Sequence, residues 1–163
     1  MTPAARVQAA IELLDQIIEA AENKGAPADR LISAYFKTRR YAGSKDRRAV
    51  RELVYRAVRL IGSRPSSGRS AMLTLALTDE TLLPLFDGSP HGPRPRGEGE
   101  WIEVRAVAVN WLMVELAHSG LEGEAANALL DRAPLDIRVN ALKADRDTID
   151  LPEMGEPLAA PQA

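Results

Sequence analysis

Cysteine is absent from this 163-residue chain, which excludes a disulfide, a thiolate metal site and a cysteine nucleophile. Aromatic residues make up only 4%. A core must therefore come from Leu, Ile, Val and Ala, a composition that suits packed helices better than a β-sandwich. No apolar run approaches the roughly 20 residues needed to cross a bilayer. Glu12 and Asp15 interrupt the apolar residues near the N-terminus, so a signal-peptide core is missing and cytoplasm is the expected compartment. The two histidines, His91 and His118, lie 27 residues apart with no acidic cluster around either. A lysine-bearing phosphate loop and a Gly-x-Ser-x-Gly elbow are missing as well. No catalytic, cofactor-binding or metal residue is expected in this chain.

Acids are also scarce in one stretch, and there the sequence becomes informative. Between Lys37 and Arg69 stand eleven Lys or Arg residues against two acids, Asp46 and Glu52, a local charge of +9. The other 130 residues carry ten basic and twenty-one acidic side chains, −11, so the total of −2 averages over opposite regions. Segregated charge costs self-repulsion, and a polyanionic partner is a common reason to keep it.

Apolar spacing organises the chain into helices. Thr2 and Pro3 suit an N-cap and first helical position, and Val7, Ala10, Ile11, Leu14, Ile17, Ile18 and Ala21 follow at helical steps. Gly25 is the expected left-handed stop. A second helix opens at Pro27, with Leu31, Ile32, Tyr35 and Phe36 inward. A third starts after Ser44, a plausible N-cap, and turns Val50, Leu53, Val54, Ala57, Val58 and Ile61 inward. Arg48, Arg51, Tyr55 and Arg59 then share the opposite face. A fourth helix is expected over about Arg69 to Leu77, a short apolar turn at Leu82 to Phe86, and a mobile Gly/Pro loop from Asp87 to Glu100. A long helix from about Trp101 to His118, apolar on most sides, is expected at the centre of the bundle, its start explaining the acidic run Glu98, Glu100 and Glu103. A short helix from Gly123 to Arg132 follows. From Leu135 to Ala141 the apolar residues alternate as in a strand, with nothing nearby to pair with. Ala144 to Ala163 holds five acids, one arginine and three prolines and is expected to be disordered. A bundle followed by an orphan strand and such a tail reads as a chain cut at the start of its next domain.

The basic stretch has a specific chemistry. Lys45, Arg47 and Arg48 occupy the first turn of the third helix, where the dipole disfavours cations and a docked anion would be welcome. Arginine outnumbers lysine nine to two across Lys37 to Arg69, which suits bidentate phosphate contacts. Tyr41 and Tyr55 could stack on unpaired bases, although Tyr55 equally suits the core. The opposing reading pairs the arginines with Glu12, Asp15, Glu19 and Glu22, with Arg47 and Arg59 serving inside the bundle.

Asp46-Arg47 with Leu53-Val54-Tyr55 and Arg59 resembles the signature helix of NusB-like domains. Gly62 to Leu73 and, above all, Arg132-Ala-Pro-Leu-Asp-Ile-Arg-Val-Asn-Ala-Leu-Lys143 resemble the corresponding segments of the Sun (Fmu, RsmB) family of 16S rRNA cytosine-C5 methyltransferases. The likeness spans Ala4 to Lys143 and departs at Val109, where the family usually has proline. It implies an all-α NusB-like bundle of six to seven helices over residues 1–133, an rRNA-binding domain. Residues 134–163 would open a truncated linker or methyltransferase domain. The family's catalytic domain, with its S-adenosylmethionine loop and two cysteines, has no counterpart here, so these residues cannot form the covalent adduct on cytosine. The expected RNA-binding residues are Arg39, Arg40, Lys45, Arg47, Arg48, Arg51 and Tyr55; Arg39, Arg40, Arg48 and Arg51 are favoured for phosphate. The expected partners are 16S rRNA and the missing methyltransferase domain, with no membrane and no metal. The alternative is a protein-docking, antitermination-factor-like module whose arginines form ion pairs.

Overall fold

Thr2 Oγ1 accepts the Ala5 N–H at 3.1 Å, and Pro3 follows where its missing N–H leaves nothing unsatisfied. That cap opens α1 (Pro3–Glu22) in a computed structural model that describes residues 1–106, 108–130 and 136–151, the Leu130 side chain excepted. The remaining elements are α2 (Ala28–Thr38), α3 (Ser44–Leu60), α4 (Gly68–Ala76), a 3-10 turn (Leu83–Leu85), α5 (Asn110–His118) and α6 (Gly123–Leu130). The fold is all-α: six helices, with no strand among the described residues. No helix among these residues is long and apolar enough to cross a membrane. The chain divides into two units, Met1–Leu130 and Asp131–Ala163.

In the first unit α1 is the central strut, packed against α2, α3 and α4. Its Val7, Ala10, Leu13 and Leu14 are buried, facing Ile32 and Phe36 of α2, Val50, Val54 and Ala57 of α3, and Met72 and Leu73 of α4 in one cluster. Each such large side chain contributes about 1.5–3 kcal/mol by leaving water. α4 is buried on nearly every side. It reaches α1 through Gly68, whose N–H donates to Asp15 Oδ1 at 2.6 Å and where any Cβ would collide with the Ile11 carbonyl. Val58, expected inward on α3, is 47% exposed.

Several expectations need correction. The stop of α1 is Lys24 in the left-handed region (φ 51°), with Gly25 one residue later donating to the Ala20 carbonyl; that is the long bond of a Schellman end. The cap of α3 is Gly43, and Ser44 is already helical. The Gly/Pro loop from Asp87 to Glu100 is tethered: Pro93 is fully buried, and Gly88 N–H donates to the Pro93 carbonyl at 3.0 Å.

The largest departure is the long helix expected from Trp101 to His118. Among the described residues of that span only Asn110–His118 is helical, and none of its residues is buried. The segment before it is irregular and bound elsewhere. Glu103 N–H donates to Thr74 Oγ1 at 2.8 Å, and Ala106 N–H to the Leu60 carbonyl at 3.2 Å. Glu103 Oε1 accepts from Ser66 N–H, Ser66 Oγ and Ser70 Oγ at 2.6–2.7 Å. Burial pushes the Glu103 carboxyl up, but the Ser66 and Ser70 hydrogen bonds outweigh it and hold the group below its ordinary value. A helix through this segment would forfeit those bonds, and the β-branched Ile102, Val104, Val107 and Val109 weaken the helical alternative. The centre of the bundle therefore belongs to α1 and α4.

In the second unit no strand forms over residues 136–142; Pro134 and Leu135 lie outside the described residues. Asn140 instead closes a turn, accepting Leu142 N–H on its side chain and Lys143 N–H on its carbonyl. A strand needs a neighbour to complete its hydrogen bonds, and none stands among the described residues. Residues 146–148 form a further turn; the rest of the tail expected to be disordered, 152–163, lies outside the described residues.

Candidate nucleic-acid interface

Helical period places Ser33 and Lys37 on one face of α2, and Ser44, Arg47, Arg48 and Arg51 along the facing side of α3. Together they line a groove of about 420 Å3 with Ile32 and Phe36 among its walls. The Arg47 Nε donates to the Ala42 carbonyl at 2.8 Å, and its guanidinium lies 5.8 Å from the Phe36 ring, so it is anchored at the groove wall. Lys37, Arg48 and Arg51 are exposed and have no carboxylate partner among the described residues.

The two acids of the basic stretch are engaged away from these cations. Asp46 accepts from the amino-terminal ammonium at 3.2 Å and from Arg6 Nε at 2.9 Å. The ammonium first, then Arg6 and the Gly43 N–H, hold its carboxyl below the ordinary value. Glu52 pairs with Arg59 at 3.6 Å, both about half exposed. The groove thus keeps an uncompensated positive charge at the start of α3, where the dipole adds to it.

The other expected residues divide. Arg40 and Lys45 are exposed, without an acid partner among the described residues, and line neither cavity described here. Tyr55 is half-buried and its hydroxyl donates to Asp29 Oδ1 at 2.7 Å, tying α3 to α2; that bond, with burial, raises its pKa. Arg39 folds back onto the bundle, 3.4 Å from Glu12 Oε2 and with its guanidinium 3.6 Å over the Tyr35 ring. Its charge is already shared with a carboxylate, in contrast to the free phosphate contact expected of it.

Four more arginines of the stretch have carboxylate partners. Arg56 meets Asp79 at 2.7 Å, Arg59 meets Glu52, Arg64 meets Glu22 at 2.9 Å, and Arg69 grips Glu100 with two nitrogens at 2.5 and 3.0 Å. Glu100 also holds Arg94 at 3.0 Å and accepts Gly97 N–H. Its carboxyl is pulled down to about 2, by Arg69 above all. Glu100 is therefore a tether for the Gly/Pro loop and not the helix-start charge expected of it.

A second cavity of about 1030 Å3 lies between α1, the end of α2 and that loop, lined among others by Gln8, Glu12, Tyr35, Arg39, Tyr41 and His91. Sequence reasoning missed it, as it missed Ser33 and did not single out Lys37 within the basic stretch. The latter two were open to view through their four-residue spacing. The cavity was not, because Glu12, Tyr35 and His91 are separated by 23 and 56 residues. Among the described residues no group of three or more His, Asp or Glu comes together that could hold a metal. His91 sits on the exposed loop, and His118 Nδ1 lies 3.9 Å from Glu115 at the end of α5.

Comparison with family models, with curated proteins and with solved structures finds no match for this chain.

Proposed function

We propose that this chain is an RNA-binding module of the NusB-like kind, part of an S-adenosylmethionine-dependent rRNA cytosine-C5 methyltransferase of the cytoplasm. It would hold 16S rRNA while a separate catalytic domain performs the chemistry. The carrying observation is the α2–α3 groove, where Lys37, Arg47, Arg48 and Arg51 converge with no carboxylate partner among the described residues. The serine hydroxyls beside them, Ser33 and Ser44, are further phosphate donors. Four phosphate contacts to a single strand predict a log affinity that falls with log salt at a slope of about −3. The test is fluorescence anisotropy of a labelled 16S rRNA fragment titrated with the protein across a salt series. A slope near this value supports the reading; no binding at low salt, or binding without a salt slope, ends it.

The five arginines of the basic stretch that pair with carboxylates favour a second reading, a docking module for a methyltransferase domain. Trp101 and Trp111, 65% and 68% exposed, would supply the apolar contact. A pull-down with that domain in the absence of RNA separates the two.

A further inference from the structure

The second cavity sets two side-chain acceptors of α1 among donors such as Tyr35 and Arg39. Gln8 and Glu12, one turn apart on α1, face it together. Glu12 Oε2 already accepts the Tyr35 hydroxyl at 2.6 Å and Arg39 at 3.4 Å. Among the described residues Glu12 Oε1 accepts only the Gln8 side-chain N–H at 3.3 Å, which leaves it a lone pair, and the Gln8 side-chain oxygen Oε1 accepts no hydrogen bond. Two neighbouring acceptors therefore border a space large enough for a nucleoside. Tyr41, 72% exposed, stands at its edge with His91, and both rings are of the kind that stacks on an unpaired base.

Of the four RNA bases, guanine alone presents two adjacent N–H donors, N1–H and N2–H, on its Watson–Crick edge. Uracil offers one donor between two acceptors; adenine and cytosine each set a donor beside an acceptor. We infer that this cavity receives an unpaired guanine of the bound RNA, with Glu12 and Gln8 accepting from its N1–H and N2–H and Tyr41 stacking on its face. The inference rests on the RNA-binding reading and adds a base preference to it. The α2 helix links the two sites, since Lys37 faces the groove while Tyr35 and Arg39 line the cavity. A strand whose phosphates lie along α3 would pass the cavity at the end of α2.

The test uses labelled pentaribonucleotides and the full chain at low salt. UUGUU should bind roughly tenfold more tightly than UUUUU or UUCUU, the discrimination of one bidentate base contact. UUIUU, whose inosine lacks the N2 amino group, should lose most of that advantage. Glu12→Gln and Gln8→Ala should each bring the UUGUU to UUUUU ratio close to one. Should Glu12→Gln unfold for want of its Tyr35 and Arg39 contacts, the inosine swap and Gln8→Ala still decide. Equal affinity for UUGUU and UUUUU, or for UUGUU and UUIUU, overturns the inference and leaves RNA binding standing. Absence of binding to every oligonucleotide overturns both.

Discussion

The basic stretch from Lys37 to Arg69 behaves as two regions. In its second part Arg56, Arg59, Arg64 and Arg69 each meet a carboxylate, and two of those carboxylates, Asp79 and Glu100, are themselves tied into loops. In its first part Lys37, Arg40, Lys45, Arg47, Arg48 and Arg51 have none among the described residues, and only Arg39 meets one. Similar residue types have carboxylate partners in one region and none among the described residues in most of the other. Charge density alone does not show which cations are paired; the position of the nearest carboxylate does.

The largest effect that would break this comparison is on RNA affinity. Arg48→Glu with Arg51→Glu should weaken binding of an rRNA fragment by at least about tenfold at low salt, with the unfolding midpoint unchanged. Arg59→Glu with Arg64→Glu carries the same charge change and should weaken it far less. Equal losses from both pairs, read by anisotropy, would erase the distinction.

Next comes stability. Removing Arg69 leaves Glu100 short of two hydrogen bonds, the shortest among them, at a site where both side chains are mostly buried, at 17% and 16% exposure. Arg69→Ala should cost about 2 kcal/mol in urea unfolding with RNA affinity within twofold of the parent. The pH dependence has a definite sign. The Glu100 pKa is lowered in the folded state, from 4.5 to about 2. The stability it contributes is therefore complete above about 4.5 and is lost as pH falls toward 2. Arg69→Ala should flatten that part of the curve; an unaltered acid limb would contradict the tether. At the small end, Arg64→Ala should shift the unfolding midpoint by no more than measurement error, because the Arg64–Glu22 pair is exposed on both sides.

Local signals were read well from the chain. The Thr2-Pro3 start of α1, the inward faces of α1 and α2, and most of the inward face of α3 follow from spacing and capping chemistry, and all three helices lie close to their expected bounds. The central role of Trp101 to His118 was misread for a physical reason. An apolar run has the same composition whether it fills a core or lies extended, and Glu103 was claimed by Ser66 and Ser70 from more than thirty residues away. Tyr55 posed a similar ambiguity between core and ligand, and the Asp29 hydroxyl bond gives it a structural role. The candidate site was half legible: Arg47, Arg48 and Arg51 do line one groove, while Arg39 was drawn away by Glu12.

The sequence by itself determined that the chain is helical, that its core is aliphatic, and that positive charge gathers on the stretch including α3. These are properties of period, composition and count, carried within a few turns of chain. Only the tertiary structure decided which arginines remain free and which acceptors border the cavity with Tyr41 and His91. Ion pairs and cavities depend on distances between residues remote in the chain, and those are set by how α1 packs against α2, α3 and α4.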